Sequence, residues 1–206
     1  DARRQRQMCI RDSMEGADQN RYLALLSKRA PKAVLKHQDL NFKYFEGREV
    51  VKRGMLEVTF ELTCGTKFQL FAVHLKSRYT DKKEDLLSSL RRVREAEVCR
   101  NRIIERTHYQ GTDKYLIVGD FNDYPSSATM RRFYRRGNFE IGALVPAADS
   151  RGELWTYFYE KETRYESVDG FVASSALMDM IKSRCAKIMD SPGALTGSCL
   201  LYTSDA

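Results

Sequence analysis

The stretch Leu116-Ile117-Val118-Gly119-Asp120-Phe121-Asn122-Asp123, LIVGDFND, decides how the rest of the chain is read. Tyr115 and the three aliphatic residues after it form a short apolar run bounded by glycine, the pattern of a buried strand. That run ends, without a break, in two carboxylates and an amide. Residues two apart in an extended segment point to the same side, so Asp120 and Asn122 are expected to project together from the strand end. Gly119 has no side chain and admits close approach of another backbone or of a ligand. A carboxylate beside an amide suits a phosphoester: the acid can take a proton from water while the amide holds that water or a phosphate oxygen. The same string also reads as a strand running into an Asx-rich turn, and alone it does not choose between the two.

Two further strand ends carry polar groups. In "VHLKSR", His74 closes an apolar strand and is followed at once by Lys76, Ser77 and Arg78. An ammonium, a hydroxyl and a guanidinium within a few residues all suit phosphate. In "YESVDGFVAS", Asp169 interrupts the apolar run Val168 to Ala173. A buried carboxylate costs several kcal/mol unless paired, so Asp169 is expected to orient a histidine or accept from backbone amides.

Around these ends, Met55 to Leu62 alternates Leu56, Val58, Phe60 and Leu62 with Glu57, Thr59 and Glu61, the pattern of a strand with one wet face. A turn at Gly65 leads into "KFQLFAVHL", apolar on both faces and therefore more central, giving an antiparallel hairpin. Asp81 to about Thr107 reads as one long helix capped by Asp81, with Leu86, Leu90, Val93 and Ala96 inward. Its charged side, Arg91, Arg92, Arg94, Glu95 and Arg102, reads as a face toward water. A helix is expected from near Ser127, and strands at 155–159, 167–173 and 183–189. Strands interleaved with helices and hairpins predict an α/β protein with a mixed sheet or two packed sheets.

Length and charge set the outer bounds. A chain of 206 residues, 42% of them hydrophobic, supports one sizeable core, and no repeat or linker divides it. No apolar run approaches the roughly 20 residues of a membrane span, and the charged start "DARRQRQMCIRDS" does not read as a signal peptide. The net charge of +7 favours anionic partners such as nucleic acid or phosphoesters, but the cations are dispersed. The clearest basic cluster with aromatics is "MRRFYRRG", Met130 to Gly137, read first as a surface helix. Five cysteines without paired spacing suggest neither disulfides nor a zinc site.

Together the three strand ends resemble the endonuclease/exonuclease/phosphatase superfamily of DNase-like phosphoesterases. "VHLKS" is similar to its histidine-bearing strand, "GDFN" to its best-known signature and "SVDGFVAS" to a later acidic strand. "LALLSKRAPK" and "RGMLEVTFEL" resemble earlier segments, so the likeness runs in order from about Leu23 to Ser174. It implies a four-layer α/β/β/α sandwich of two mixed sheets, incomplete in this chain, with the active site at one end. It also implies hydrolysis of a phosphoester with Mg²⁺ or Mn²⁺. On this resemblance Asp120 activates water, Asn122 holds the phosphate or a metal-bound water, His74 donates to a phosphate oxygen and Asp169 orients a second catalytic histidine. Lys76, Ser77 and Arg78 are substrate-binding or loop-shaping, and Asp120 and Asn122 are candidates for a second metal position.

The likeness has gaps. The superfamily's early-strand Asn and metal-binding Glu have no counterpart, and its "SDH" segment is matched only by Ser198. Gly170 replaces an aromatic residue. The ends, residues 1–13 and 199–206, resemble translated adaptor sequence, leaving 14–198 as a partial domain. The chain as written is therefore expected to be inactive and its complete parent a phosphoesterase. Competing expectations are a DNA nuclease of the same fold, and a non-catalytic domain that binds an anion in the same hollow. Substrate, localisation and oligomeric state are not legible.

Overall fold

The computed structural model describes residues 10–14, 16–18, 20–80 and 82–189. Asp81 and the segments 1–9 and 190–206 lie outside the described residues, so the expected cap at Asp81, the tail 199–206 and the Ser198 motif do too. In chain order the elements are β1 (Ile10–Met14), β2 (Leu23–Ser27), β3 (Ala33–His37), β4 (Asn41–Tyr44), β5 (Gly47–Val50), β6 (Met55–Glu61) and β7 (Lys67–His74). Then come α1 (Ser89–Thr107), β8 (Tyr115–Asp120), α2 (Ala128–Tyr134), β9 (Arg135–Arg136), β10 (Phe139–Glu140), β11 (Ala143–Leu144) and β12 (Ala147–Ala148). The last are β13 (Tyr157–Tyr159), β14 (Arg164–Glu166), β15 (Asp169–Ala173), α3 (Ser175–Met178) and β16 (Ala186–Lys187). Residues 10–14, of which 10–13 belong to the expected tail, pair antiparallel with β2.

The protein is an α/β fold built on a six-stranded mixed sheet, ordered β11-β15-β8-β7-β6-β3. β7 and β8 run parallel and the other pairs antiparallel. A parallel pair needs a crossover, which α1 supplies between β7 and β8. α1 and α2 cover one face, where Phe71, Ile117, Phe121, Phe133 and Ile103 are almost wholly buried. Each such side chain contributes about 2–3 kcal/mol of transfer free energy. On the other face Leu56, Val58 and Phe60 pack with Leu23, and Leu25, Val34, Phe68, Leu70 and Ala72 close around them.

Four expectations are corrected. β6 has no wet face: Glu57 is 1% exposed and its carboxylate takes hydrogen bonds from Arg106 and Gln69 and contacts His37 Nε2 at 2.8 Å. The long helix begins at Ser89, because Leu87 and Ser88 adopt left-handed backbone angles that break it. The acid serving its first turn is Asp85, which accepts from the amides of Leu90 and Arg91. Third, the charged side of α1 is inside. Arg91, Arg92 and Glu95 are buried, whereas Leu86 and Leu90 are exposed; Arg94 does face water. The expected strand at 183–189 is reduced to the two residues of β16, behind the left-handed residues Ser183 and Arg184. The other expected elements stand: the β6–β7 hairpin, β8, the α2 start with Ser127 accepting from the Met130 amide, and β15.

Candidate active site

The sheet sets three polar residues in one row. His74 and Asp120 are register partners across the parallel pair β7–β8. Asp120 and Asp169 are register partners across the antiparallel pair β8–β15. Residues directly opposite on neighbouring strands share a face, and all three stand at the same end of the sheet. His74 Nε2 lies 3.5 Å from Asp120 Oδ2, both side chains about one quarter exposed. The three strand ends thus meet at one end of the sheet, where His74 and Asp120 stay partly open to water.

Gly119 makes the convergence tight. Its φ is +146°, and a Cβ there would come within 1.8 Å of the Val73 carbonyl oxygen. A residue with a side chain would push β7 and β8 apart just below His74 and Asp120.

The row is electrostatically strained. Burial first, and then the neighbouring Asp169 carboxylate, push the Asp120 carboxyl up to about 6, against the opposing Asn122 amide, Arg53 and Arg78. Burial also raises Asp169, against a hydrogen bond from the Thr156 hydroxyl. His74 is driven down to about 4 by burial and by the Arg53 and Arg21 guanidiniums. Attraction between His74 and Asp120 across 3.5 Å works against both shifts, but desolvation sets their sign. At neutral pH the row therefore holds a neutral imidazole beside an ionised carboxylate.

Asn122 does not continue the strand. It takes a left-handed φ of 51°, and its amide closes an Asx turn onto Asp120 Oδ1 at 2.8 Å. Its side-chain Nδ2 donates to the Leu75 carbonyl at 3.0 Å, leaving one N–H and the amide oxygen uncommitted in that bond. The turn reading of this string is observed, and the turn fixes the orientation of the Asp120 carboxylate. Lys76 and Arg78 point into the protein's own contacts. The Lys76 ammonium donates to the Tyr79 carbonyl, and Arg78 donates to both Glu166 oxygens at 2.7 and 2.8 Å while stacking over Tyr124. Ser77 offers its carbonyl to Arg92 at 3.4 Å. Asp169 meets no histidine: the other two, His37 and His108, sit beside Glu57 and Phe139.

Sequence reasoning missed the residues beneath the row. Arg53, buried, donates to the Leu75 carbonyl at 2.8 Å and stands 3.5 Å from Asp18. Arg92 donates to the carbonyls of Lys76, Ser77 and Leu87 and pairs with Asp123, which also accepts from Thr129. Glu95 accepts from the Lys76 amide at 2.8 Å. Thr156 accepts from the amides of Val168 and Asp169. Each satisfies backbone groups of a loop that leaves the site, which a buried loop requires. The available signal was the density of Arg and Glu at a spacing of three to four on α1, read as solvated because its partners are distant in sequence.

Among the described residues no group of three or more His, Cys, Asp or Glu side chains is placed to hold a metal ion. Asp120 and Asp169 alone suit Mg²⁺, which keeps several waters and commonly takes one or two carboxylates together with substrate phosphate.

No family model matches the sequence, and no curated protein matches it. Solved structures match by fold. The catalytic domain of human Nocturnin, described with a bound sulfate anion, aligns with 75% of this chain at 13% identity and a TM-score of 0.50. Sphingomyelinase C from Streptomyces griseocarneus aligns with 74% at 15% identity and a TM-score of 0.51. The likeness to these structures is one of fold. Beta toxin from Staphylococcus aureus, in a variant described with bound magnesium ions, aligns with 74% of the chain at 13% identity and a TM-score of 0.51. The chain spans about half the length of these three structures, 52% of each. In this fold the row His74–Asp120–Asp169 lies at one end of the six-stranded sheet.

Proposed function

We propose that this chain carries the phosphate-handling part of a divalent-metal-dependent phosphoester hydrolase. The observation that carries the reading is the register of β7, β8 and β15, which lines up an imidazole and two carboxylates at one end of the sheet. Asp120 accepts the proton of the attacking water, its pKa of about 6 placing it between full ionisation and useful basicity at neutral pH. The neutral His74 donates an N–H to a phosphate oxygen, and the remaining N–H of Asn122 does the same. Asp169 would share a bound cation with Asp120, and its amide, held by Thr156, keeps β15 in register. Mg²⁺ or Mn²⁺, held by Asp120 and Asp169 with the substrate phosphate, would supply charge neutralisation at the phosphoryl group. The sulfate described with Nocturnin and the magnesium described with beta toxin support the reading by analogy of fold.

Two facing carboxylates repel an anion, so a domain that merely bound phosphate without metal is disfavoured. Isothermal titration with inorganic phosphate should show binding in the presence of Mg²⁺ and none in its absence, and Asp120→Asn should abolish the metal-dependent signal. Metal-independent phosphate binding that survives Asp120→Asn would instead establish the anion-binding alternative. With two carboxylates and one imidazole in the row, hydrolysis of bis-p-nitrophenyl phosphate by the 206-residue chain should stay at background. Clear turnover removed by Asp120→Asn would show that the described groups suffice.

A further inference from the structure

The helical face carries a basic surface that the row at the sheet end does not use. In α2 and the β9–β10 hairpin, Arg131, Arg135 and Arg136 are exposed and Arg132 is half-buried, its Nε without a hydrogen-bond partner. Arg131 donates to the Ser126 carbonyl at 2.6 Å. Among the described residues, no carboxylate lies within ion-pairing distance of these four. Arg100 of α1 joins them; its guanidinium is held below its usual range first by burial and then by Arg132 and Arg136, against the attraction of Glu97. Glu97 is the acid of this region and is already engaged by Arg94 and Arg100. Glu140, opposite Arg135 in the hairpin, accepts from the Ser175 hydroxyl instead. Glu97 is thus shared among Arg94, Arg100 and Arg132, and the exposed Arg131, Arg135 and Arg136 have no carboxylate in ion-pairing distance among the described residues.

Beside them stand ring faces open to water. Phe139, the register partner of Arg136, is 39% exposed, and Tyr109 is 76% exposed. His108 bridges the two, its ring centroid 5.0 Å from Phe139 and 5.6 Å from Tyr109. A folded protein gains nothing by exposing these rings next to unneutralised guanidiniums. A single strand of nucleic acid matches the pattern, its phosphates meeting the planar guanidiniums and its bases stacking on the rings. An anionic lipid surface would use the charges but calls for apolar wedges rather than ring faces.

We infer that Arg131, Arg135 and Arg136, with Phe139 and Tyr109, form a binding surface for single-stranded nucleic acid on the helical layer, separate from the row at the sheet end. It goes beyond the hydrolase reading and does not depend on it.

The test is fluorescence anisotropy of a labelled oligothymidine of about 20 nucleotides, measured between about 50 and 200 mM salt. The full chain should bind with affinity that falls as salt rises. Joint replacement Arg131→Gln, Arg135→Gln and Arg136→Gln should reduce the log–log salt slope by about 2, at about 0.7 per lost phosphate contact. Tyr109→Ala with Phe139→Ala should weaken binding while leaving that slope in place. The replaced side chains are exposed, and an unchanged thermal melt confirms that each variant folds. Absence of binding at low salt, or an unaltered slope in the triple variant, overturns the inference. So does binding to phosphatidylglycerol vesicles that loses strength in the triple variant but not on removing the rings. Metal-dependent phosphate binding at the row reports on the hydrolase reading alone, so the two can fail independently.

Discussion

At the scale of single residues, Asp120 is held where it costs the fold free energy. Its ordinary pKa is 3.8 and its folded value about 6. A folded value raised above the unfolded one means that stability is present below pH 4 and is lost as pH rises through 6. Asp120→Asn should therefore stabilise the chain by about 1–3 kcal/mol above pH 7, with the gain vanishing near pH 4. Urea denaturation of both proteins at pH 4 and pH 8 measures this, and equal stability at both values would show that the carboxylate is not strained. Gly119 is the opposite case. Gly119→Ala places a Cβ 1.8 Å from the Val73 carbonyl oxygen at a φ that side chains rarely adopt. It should destabilise by about 2–4 kcal/mol, read as a lower melting temperature, although a neutral result would mean that β7 and β8 separate without penalty. Both residues were legible in the sequence as a strand end, Gly119 as a point of close approach and Asp120 as a polar terminus, but the string alone left a turn and a site equally open.

At the scale of elements, α1 explains how the loop after β7 keeps its shape. Arg92 spends its guanidinium on three backbone carbonyls and on Asp123, and Glu95 holds the Lys76 amide. A methionine at 92 would fill the space but leave those groups without a donor. Arg92→Met should cost about 3–5 kcal/mol, the range for removing one partner of a buried charge pair, and Arg92→Lys should recover little, because one ammonium cannot reproduce a planar fork. Chemical denaturation of the three proteins decides it, and full rescue by lysine would show that charge alone matters there. This element is also where the sequence misled. The apolar positions Leu86, Leu90 and Val93 set a helical phase that the left-handed residues at 87 and 88 break. The true inner face is then charged at Arg91, Arg92 and Glu95 and mainly apolar beyond them, at Ala96, Cys99, Ile103 and Ile104. Glu57 on β6 was misread for the same reason: its partners His37, Gln69 and Arg106 come from three other segments, and alternation cannot reveal pairing at a distance.

At the scale of the whole molecule, strand order and site position follow from one short string. Once LIVGDFND is taken as a buried strand ending in polar groups, the adjacent hairpin β6–β7 and the later acidic strand β15 fall on either side of it. Within the described residues the helical layer lies on one face of a mixed sheet, and no helix is long and apolar enough to cross a membrane. Substrate choice was not legible, because the groups that select it stand on loops and on exposed helix faces whose neighbours only folding assigns.

Manganese-induced line broadening in NMR spectra of the full 206-residue chain bears most directly on the convergence of the three strand ends. Broadening centred on residues 73–75, 119–122 and 168–170, and lost in Asp120→Asn, is the predicted result. Broadening that is absent, or that gathers instead at surface acids such as Glu162 or Asp179, would contradict the assignment of this row as a phosphoester site.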